Sequence, residues 1–115
     1  MRLVVLAALL SGCATDISGA EARRSMARGA LLVDVRSRAE FKERPVRGAV
    51  NLPIEELKRR LAELPRNRRL IVYCHTGARA GAAALILRKA GVRDVRNVGS
   101  IGRLVYGSNE APPLF

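Results

Sequence analysis

The chemistry this chain can support centres on one thiol. Cys74 closes an apolar run, Leu70-Ile71-Val72-Tyr73, and opens a six-residue loop, Cys74-His75-Thr76-Gly77-Ala78-Arg79. Behind the loop, Ala80-Gly81-Ala82-Ala83-Ala84-Leu85-Ile86-Leu87-Arg88-Lys89-Ala90 reads as a helix stopped by Gly91 as its C′ residue. A strand end, a tight loop and a helix N-terminus bring backbone N–H groups together at the sulfur, an arrangement that stabilises negative charge. A thiolate in such a place is a nucleophile. The N–H groups of His75, Thr76, Gly77, Ala78 and Ala80 can meet an anionic group if the loop curls around it, with Gly77 taking a backbone conformation that a Cβ disfavours. Arg79, at the helix entrance, adds fixed charge and a fork able to hold an oxyanion. His75 is read as a solvent-facing loop residue contributing mainly its N–H. No second His or Cys stands at ligand spacing, so neither a metal site nor a cofactor is expected.

The elements around this loop alternate. Residues 16–29 read as a helix, with Ser18-Gly19-Ala20-Glu21 as a capping box and Gly29 at C′. Leu31-Leu32-Val33-Asp34-Val35 is a strand covered on both faces, and Ser37-Arg38-Ala39-Glu40 is a second capping box opening a short helix. Ala49-Val50-Asn51-Leu52 is a short strand. From Pro53 to Pro65 one helix is expected, with Ile54, Leu57, Leu61 and Leu64 on one face. Asp94-Val95-Arg96-Asn97-Val98 is a last strand, and the tail from Gly99 shows little periodicity and is read as irregular. This alternation gives an α/β fold, a small and mostly parallel sheet with helices on both faces. Ligands in such sheets bind at the carboxyl ends of strands, where Cys74 falls. Asp34 and Arg36, at the end of the first strand, are read as a buried or half-buried ion pair supporting the base of the loop.

The chain has 115 residues, enough for one domain with a single core. Its start differs from the rest. Met1-Arg2 is positive, Leu3 to Leu10 is an apolar run of eight, and Leu10-Ser11-Gly12-Cys13 follows. Eight apolar residues are too few for a transmembrane helix, which needs roughly 20. They suit the apolar part of a secretory signal. The ending resembles a bacterial lipobox, which implies cleavage before Cys13 and a diacylglycerol on its sulfur. On that reading residues 1–12 are signal, 13–29 anchor segment and first helix, and 30–115 the folded domain. The domain would sit outside the cytoplasm, anchored to a bacterial membrane by lipid, on the periplasmic side in a Gram-negative cell. Cys74 would then have no partner for a disulfide. The formal net charge is +11 and aromatic residues make up only 3%. The basic excess suits steering of a small anion or attraction to anionic lipid, or is an arginine-rich solvated surface. A nucleic-acid partner is not expected, given the export signal and the scarcity of stacking aromatics.

Four segments, taken in order, resemble a single-domain rhodanese, similar to small periplasmic thiosulfate sulfurtransferases. The family's Cys-x-x-Gly-x-Arg loop corresponds to Cys74 through Arg79, and its Asp-Val-Arg and Glu-Phe pair to Asp34-Val35-Arg36 and Glu40-Phe41. Gly48-Ala49-Val50-Asn51-Leu52-Pro53 and Ala90-Gly91-Val92 with Asn97-Val98-Gly99 complete the match, which spans Ala30 to Gly102. Two departures concern the rim. Arg44-Pro45 stand where the family usually has Gly-His, and the segment after Gly99 lacks the usual aromatic.

The resemblance implies a sulfurtransferase. Cys74 would take sulfane sulfur from a small anionic donor such as thiosulfate, hold it as a persulfide, and pass it to a thiol or cyanide acceptor. Two other readings stay open. A sulfur-carrier or redox-sensing module would load Cys74 without turnover. A cysteine phosphatase or arsenate reductase is less favoured, because those families place five residues between Cys and Arg and this loop has four.

Overall fold

The computed structural model describes residues 15–106, so Cys13 and the signal-like segment lie outside the described residues. Four strands, β1 (Leu31–Asp34), β2 (Ala49–Asn51), β3 (Leu70–Cys74) and β4 (Val95–Ser100), pair in parallel in the order β2-β1-β3-β4. Helix α1 (Gly19–Ala27) precedes the strands, and α2 (Arg38–Glu43), α3 (Ile54–Leu57), α4 (Ala78–Lys89) and α5 (Ile101–Tyr106) lie between and after them.

β3 is central, and all five of its residues are buried. Alternation along it sends Leu70, Val72 and Cys74 into one apolar cluster, with Val33 and Val35 of the neighbouring strand. Ala80, Ala83, Ala84 and Leu87 of α4 close that side, together with Leu57 and Leu64. Ile71 and Tyr73 point the other way with Leu32, under Ala22 of α1 and Ile101, Leu104 and Val105 beyond β4. A parallel sheet buried on both faces is the architecture that the near-continuous apolar runs predict. α1, which the sequence boundaries set before residue 30, is packed onto this second face.

Both capping signals have structural counterparts. Ser18 Oγ accepts the Glu21 N–H, and at Ser37 the box is reciprocal, with Glu40 Oε1 accepting the Ser37 N–H at 3.1 Å.

Two expectations require correction. The helix from Pro53 to Pro65 is instead the four-residue α3 followed by a 3₁₀ turn at Leu61–Glu63. Pro53 offers no side-chain cap, and the helix ends after one turn, with Arg59 and Arg60 reaching back to the Glu56 carboxylate. After Arg60 the bonds tighten to three residues, Glu63 N–H to Arg60 O at 3.0 Å and Leu64 N–H to Leu61 O at 3.1 Å. Leu57 and Leu64 still reach the core. The start of the tail, residues 99–106, is regular rather than irregular, and the rest lies outside the described residues. β4 continues to Ser100, and α5 follows, because Ile101, Leu104 and Val105 recur at helical spacing and bury on the sheet. Ser100 Oγ caps it by accepting the Arg103 N–H at 3.1 Å.

Candidate active site

Cys74 is the last residue of the central strand, free and fully buried. Its Sγ accepts two backbone N–H bonds, from Gly77 at 2.9 Å and Ala80 at 3.3 Å. These donors bracket the start of α4, so the sulfur lies at the positive end of a 12-residue helix. The loop closes this tightly because Gly77, the N-cap, has φ +108°, a region that side chains with a Cβ rarely enter. Loop residues His75, Thr76 and Ala78 are exposed, and Ala80 is buried beneath the first turn.

Arg79 is half-buried and turned toward α2. Its Nη1 and Nη2 fork onto the Glu40 carboxylate at 2.7 and 2.9 Å. The fork that the sequence reading assigns to an oxyanion is thus held by a carboxylate of this chain. The Arg79 bond holds the Glu40 carboxyl down at about 2, and the same bond raises the guanidinium above its ordinary value. Glu40 therefore serves two elements, capping α2 and fixing the first turn of α4. No periodicity or local motif signals a pair 39 residues apart, and only the fold brings it together.

The base of the loop rests on a buried polar network. Asp34 accepts the Arg36 backbone N–H at 2.8 Å and its Nε at 2.9 and 3.1 Å, and the Nη2 also contacts it. The Tyr73 hydroxyl donates to the same carboxylate, and the Arg36 guanidinium lies 5.5 Å from the Tyr73 ring centre. Burial, reinforced by the Asp34 carboxylate, pushes the Tyr73 phenol well above its ordinary range. Arg36 spends a further N–H on the Arg44 carbonyl, and Asn51 Nδ2 donates to the Asp34 and Arg36 carbonyls at 3.1 and 2.9 Å. Asp34 and Arg36 form the ion pair expected of them, and Tyr73 and Asn51 are members that sequence reasoning missed. Tyr73 immediately precedes Cys74, so this network pins the strand end that carries the thiol.

Cavities flank the loop on two sides. One of 380 Å³ is lined by Arg36, Glu40, Glu43, Arg44 and His75. The other, of 510 Å³, runs along Thr76, Gly77, Ala78 and Ala82 toward Asn97, Gly99 and Arg103. Gly77 and Gly99 pack closely in its wall, where a Cβ on the first would lie 3.7 Å from the Cα of the second. Among the described residues no group of His, Cys, Asp and Glu side chains could hold a metal ion. The two N–H donors and the start of α4 can stabilise an anionic sulfur at Cys74, and both cavities border the loop that carries it.

Comparison with known proteins agrees with this geometry. The protein YqhL of Bacillus subtilis, described as uncharacterized, is 38% identical over 71 residues, which are 62% of this chain and 56% of YqhL. The thiosulfate sulfurtransferase PspE of Escherichia coli is 35% identical over 71 residues, covering 60% of this chain and 68% of PspE. A solved rhodanese with anions from E. coli superposes with a TM-score of 0.61 at 32% identity, covering 65% of this chain and 91% of that one. The chain thus spans a little over half of YqhL and about two thirds of PspE. The family model described as a rhodanese-like domain matches residues 18–101, from the cap of α1 to the start of α5, and the chain belongs to that family.

Proposed function

We propose that the protein is a sulfurtransferase that moves sulfane sulfur through a persulfide on Cys74. The observation that carries this reading is the pair of N–H donors, from Gly77 and Ala80, converging on Cys74 Sγ at the start of α4. The thiolate attacks the outer sulfur of a donor such as thiosulfate. Its electron pair forms the new S–S bond, the donor's own S–S bond breaks, and sulfite leaves with that pair. The terminal sulfur of the Cys74 persulfide is then anionic, and the loop N–H groups and the α4 dipole are aimed to hold it. Cyanide or a thiolate attacks that sulfur, takes it as thiocyanate or a new persulfide, and returns the Cys74 thiolate. Arg79 draws the anionic donor to the rim, where it competes with Glu40 for the fork. Asp34 and Arg36 position the strand end and do not touch the reacting atoms.

The loop length supports sulfur over phosphate chemistry. Four residues between Cys74 and Arg79 make a narrow cradle, suited to one sulfur atom. The PspE relative, a thiosulfate sulfurtransferase by name, points to the same class of donor. We further propose that Cys13 carries lipid and anchors the domain outside the cytoplasm, on the strength of the apolar run Leu3 to Leu10 and the Leu-Ser-Gly-Cys ending.

Steady-state formation of thiocyanate from thiosulfate and cyanide tests the enzymatic reading. Repeated turnover that Cys74→Ser abolishes supports it. A single stoichiometric release of sulfur, with no second cycle, would instead describe a carrier.

A further inference from the structure

The described chain begins beside the sulfur-binding loop. Thr15 lines the 510 Å³ cavity along with Thr76, Gly77 and Ala78, and its Cγ2 lies 2.7 Å from where a Cβ on Gly99 would be. The next residues are fastened to the β4 edge of the sheet. The Asp16 N–H donates to the Asn97 carbonyl at 2.7 Å, the Asn97 N–H donates back to Asp16 Oδ2 at 2.9 Å, and Arg88 pairs with the same carboxylate. Cys13 is two residues before Thr15, at most about 7 Å of extended chain. A lipid on Cys13 therefore cannot be far from the mouth of this cavity.

The surface around that mouth has the composition of a membrane-facing patch. Ala78, Ala82 and Leu85 recur on one side of α4 and are all exposed. Leu85 is 54% exposed, and among the described residues only Val50 is another large apolar side chain left so open. Arg103 and Lys89, both exposed, flank this strip. Arg103 also lines the cavity, and the bonds found for its guanidinium go to the carbonyls of Val98 and Ile17, leaving its charge without a carboxylate among them. Val50 lies on β2, at the opposite edge of the sheet.

We propose that the face formed by Ala78, Ala82, Leu85 and Arg103 docks on the anionic surface of the bilayer that holds the Cys13 lipid, so that the cavity beside Cys74 opens at the headgroup layer. This rests on the lipid-anchor reading and adds an orientation to it. The short tether limits rotation, the apolar strip enters the interface, and Arg103 and Lys89 meet anionic headgroups within a Debye length of the surface.

The test uses the full chain, processed in a bacterial host and reconstituted into vesicles of mixed zwitterionic and anionic phospholipid. In a Cys74→Ser background, Leu85→Cys or Val50→Cys carries an environment-sensitive fluorophore, and nitroxide on the lipid headgroup is the quencher. Intact mass reports acylation of Cys13 in each sample. The proposal expects acylated protein whose label at 85 is quenched several-fold more than the label at 50, and expects Arg103→Glu or high salt to reduce the difference. Equal quenching at both positions on acylated protein would overturn the orientation and leave the anchor standing. A label at 85 shielded from a water-soluble quencher yet untouched by the lipid nitroxide would overturn it in favour of a protein partner on that face. Protein without lipid on Cys13 would overturn both.

Discussion

Replacing Asp34 by asparagine is the sharpest perturbation of the frame that holds the thiol. The change keeps shape and volume, so it removes charge without opening a cavity. Asp34 is fully buried and Arg36 is only 2% exposed, which leaves the guanidinium with no water to turn to. In the native protein this one carboxylate accepts from the Arg36 backbone, from its Nε and Nη2, and from the Tyr73 hydroxyl. Breaking a buried pair in this way costs about 3–5 kcal/mol, because the surviving charge stays buried without its partner. Against a total stability of about 5–15 kcal/mol for a domain, that is a large share. For a domain of this size it corresponds to a fall of about 12 °C or more in the thermal midpoint. Urea unfolding followed by far-ultraviolet circular dichroism measures it, since the chain has no Trp to report by fluorescence. Arg36→Met supplies the second arm of a double-mutant cycle. With Arg36 gone, Asp34→Asn should cost markedly less, giving a coupling of about 2 kcal/mol. A loss below about 1 kcal/mol for Asp34→Asn alone, as at an ordinary surface position, would refute the claim that this network supports the loop.

Glu40→Gln should free the Arg79 fork, lowering KM for thiosulfate while stability changes by about 1 kcal/mol or less, because the pair is about one-third exposed. Steady-state kinetics and urea unfolding of the same preparation check both halves. The pair also has a pH signature. Glu40 is held near 2 against an ordinary 4.5, so the stability it adds is complete above 4.5 and is lost as pH falls from there toward 2. The stability gap between wild type and Glu40→Gln should close over that interval in acid titrations, and a gap that persists at the low end would contradict the assignment. Gly77→Ala forces a Cβ into a residue with φ +108°, at about 1–2 kcal/mol, and displaces an N–H that bonds the sulfur. Its single-turnover sulfur uptake should fall more than its stability does, and equal rates in the variant and wild type would argue that the loop N–H groups are idle.

Much of this site is written locally in the chain. The run Leu70 to Cys74, the glycine at the fourth loop position and the helix behind it are contiguous, so strand, loop and helix N-terminus follow from neighbours alone. The Asp34–Arg36 pair was legible for the same reason, two residues apart at a strand end. Glu40 was visible as a cap but not as the partner of Arg79, because that bond is made by packing α2 against α4. Tyr73 looked like one more apolar strand residue, and its hydroxyl acquires meaning only when β1 pairs with β3 and brings Asp34 opposite. α5 was hidden by its neighbours. Glycines at 99, 102 and 107 and the prolines after them outweighed the helical spacing of Ile101, Leu104 and Val105, which matters only once a sheet face needs covering. α3 failed the other way, since a regular leucine period suggested one helix where the core is filled as well by a shorter helix and a tighter turn.

The central claim is that Cys74 carries transferable sulfur, and intact mass spectrometry tests it most directly. Reduced, folded protein with Cys13→Ser is weighed before and after thiosulfate, then after cyanide, beside the same protein with Cys74→Ser. The account predicts a gain of about 32 Da, one sulfur atom as a persulfide, that cyanide removes and that Cys74→Ser never shows. No gain on the intact loop, or the same gain in the serine variant, would contradict it.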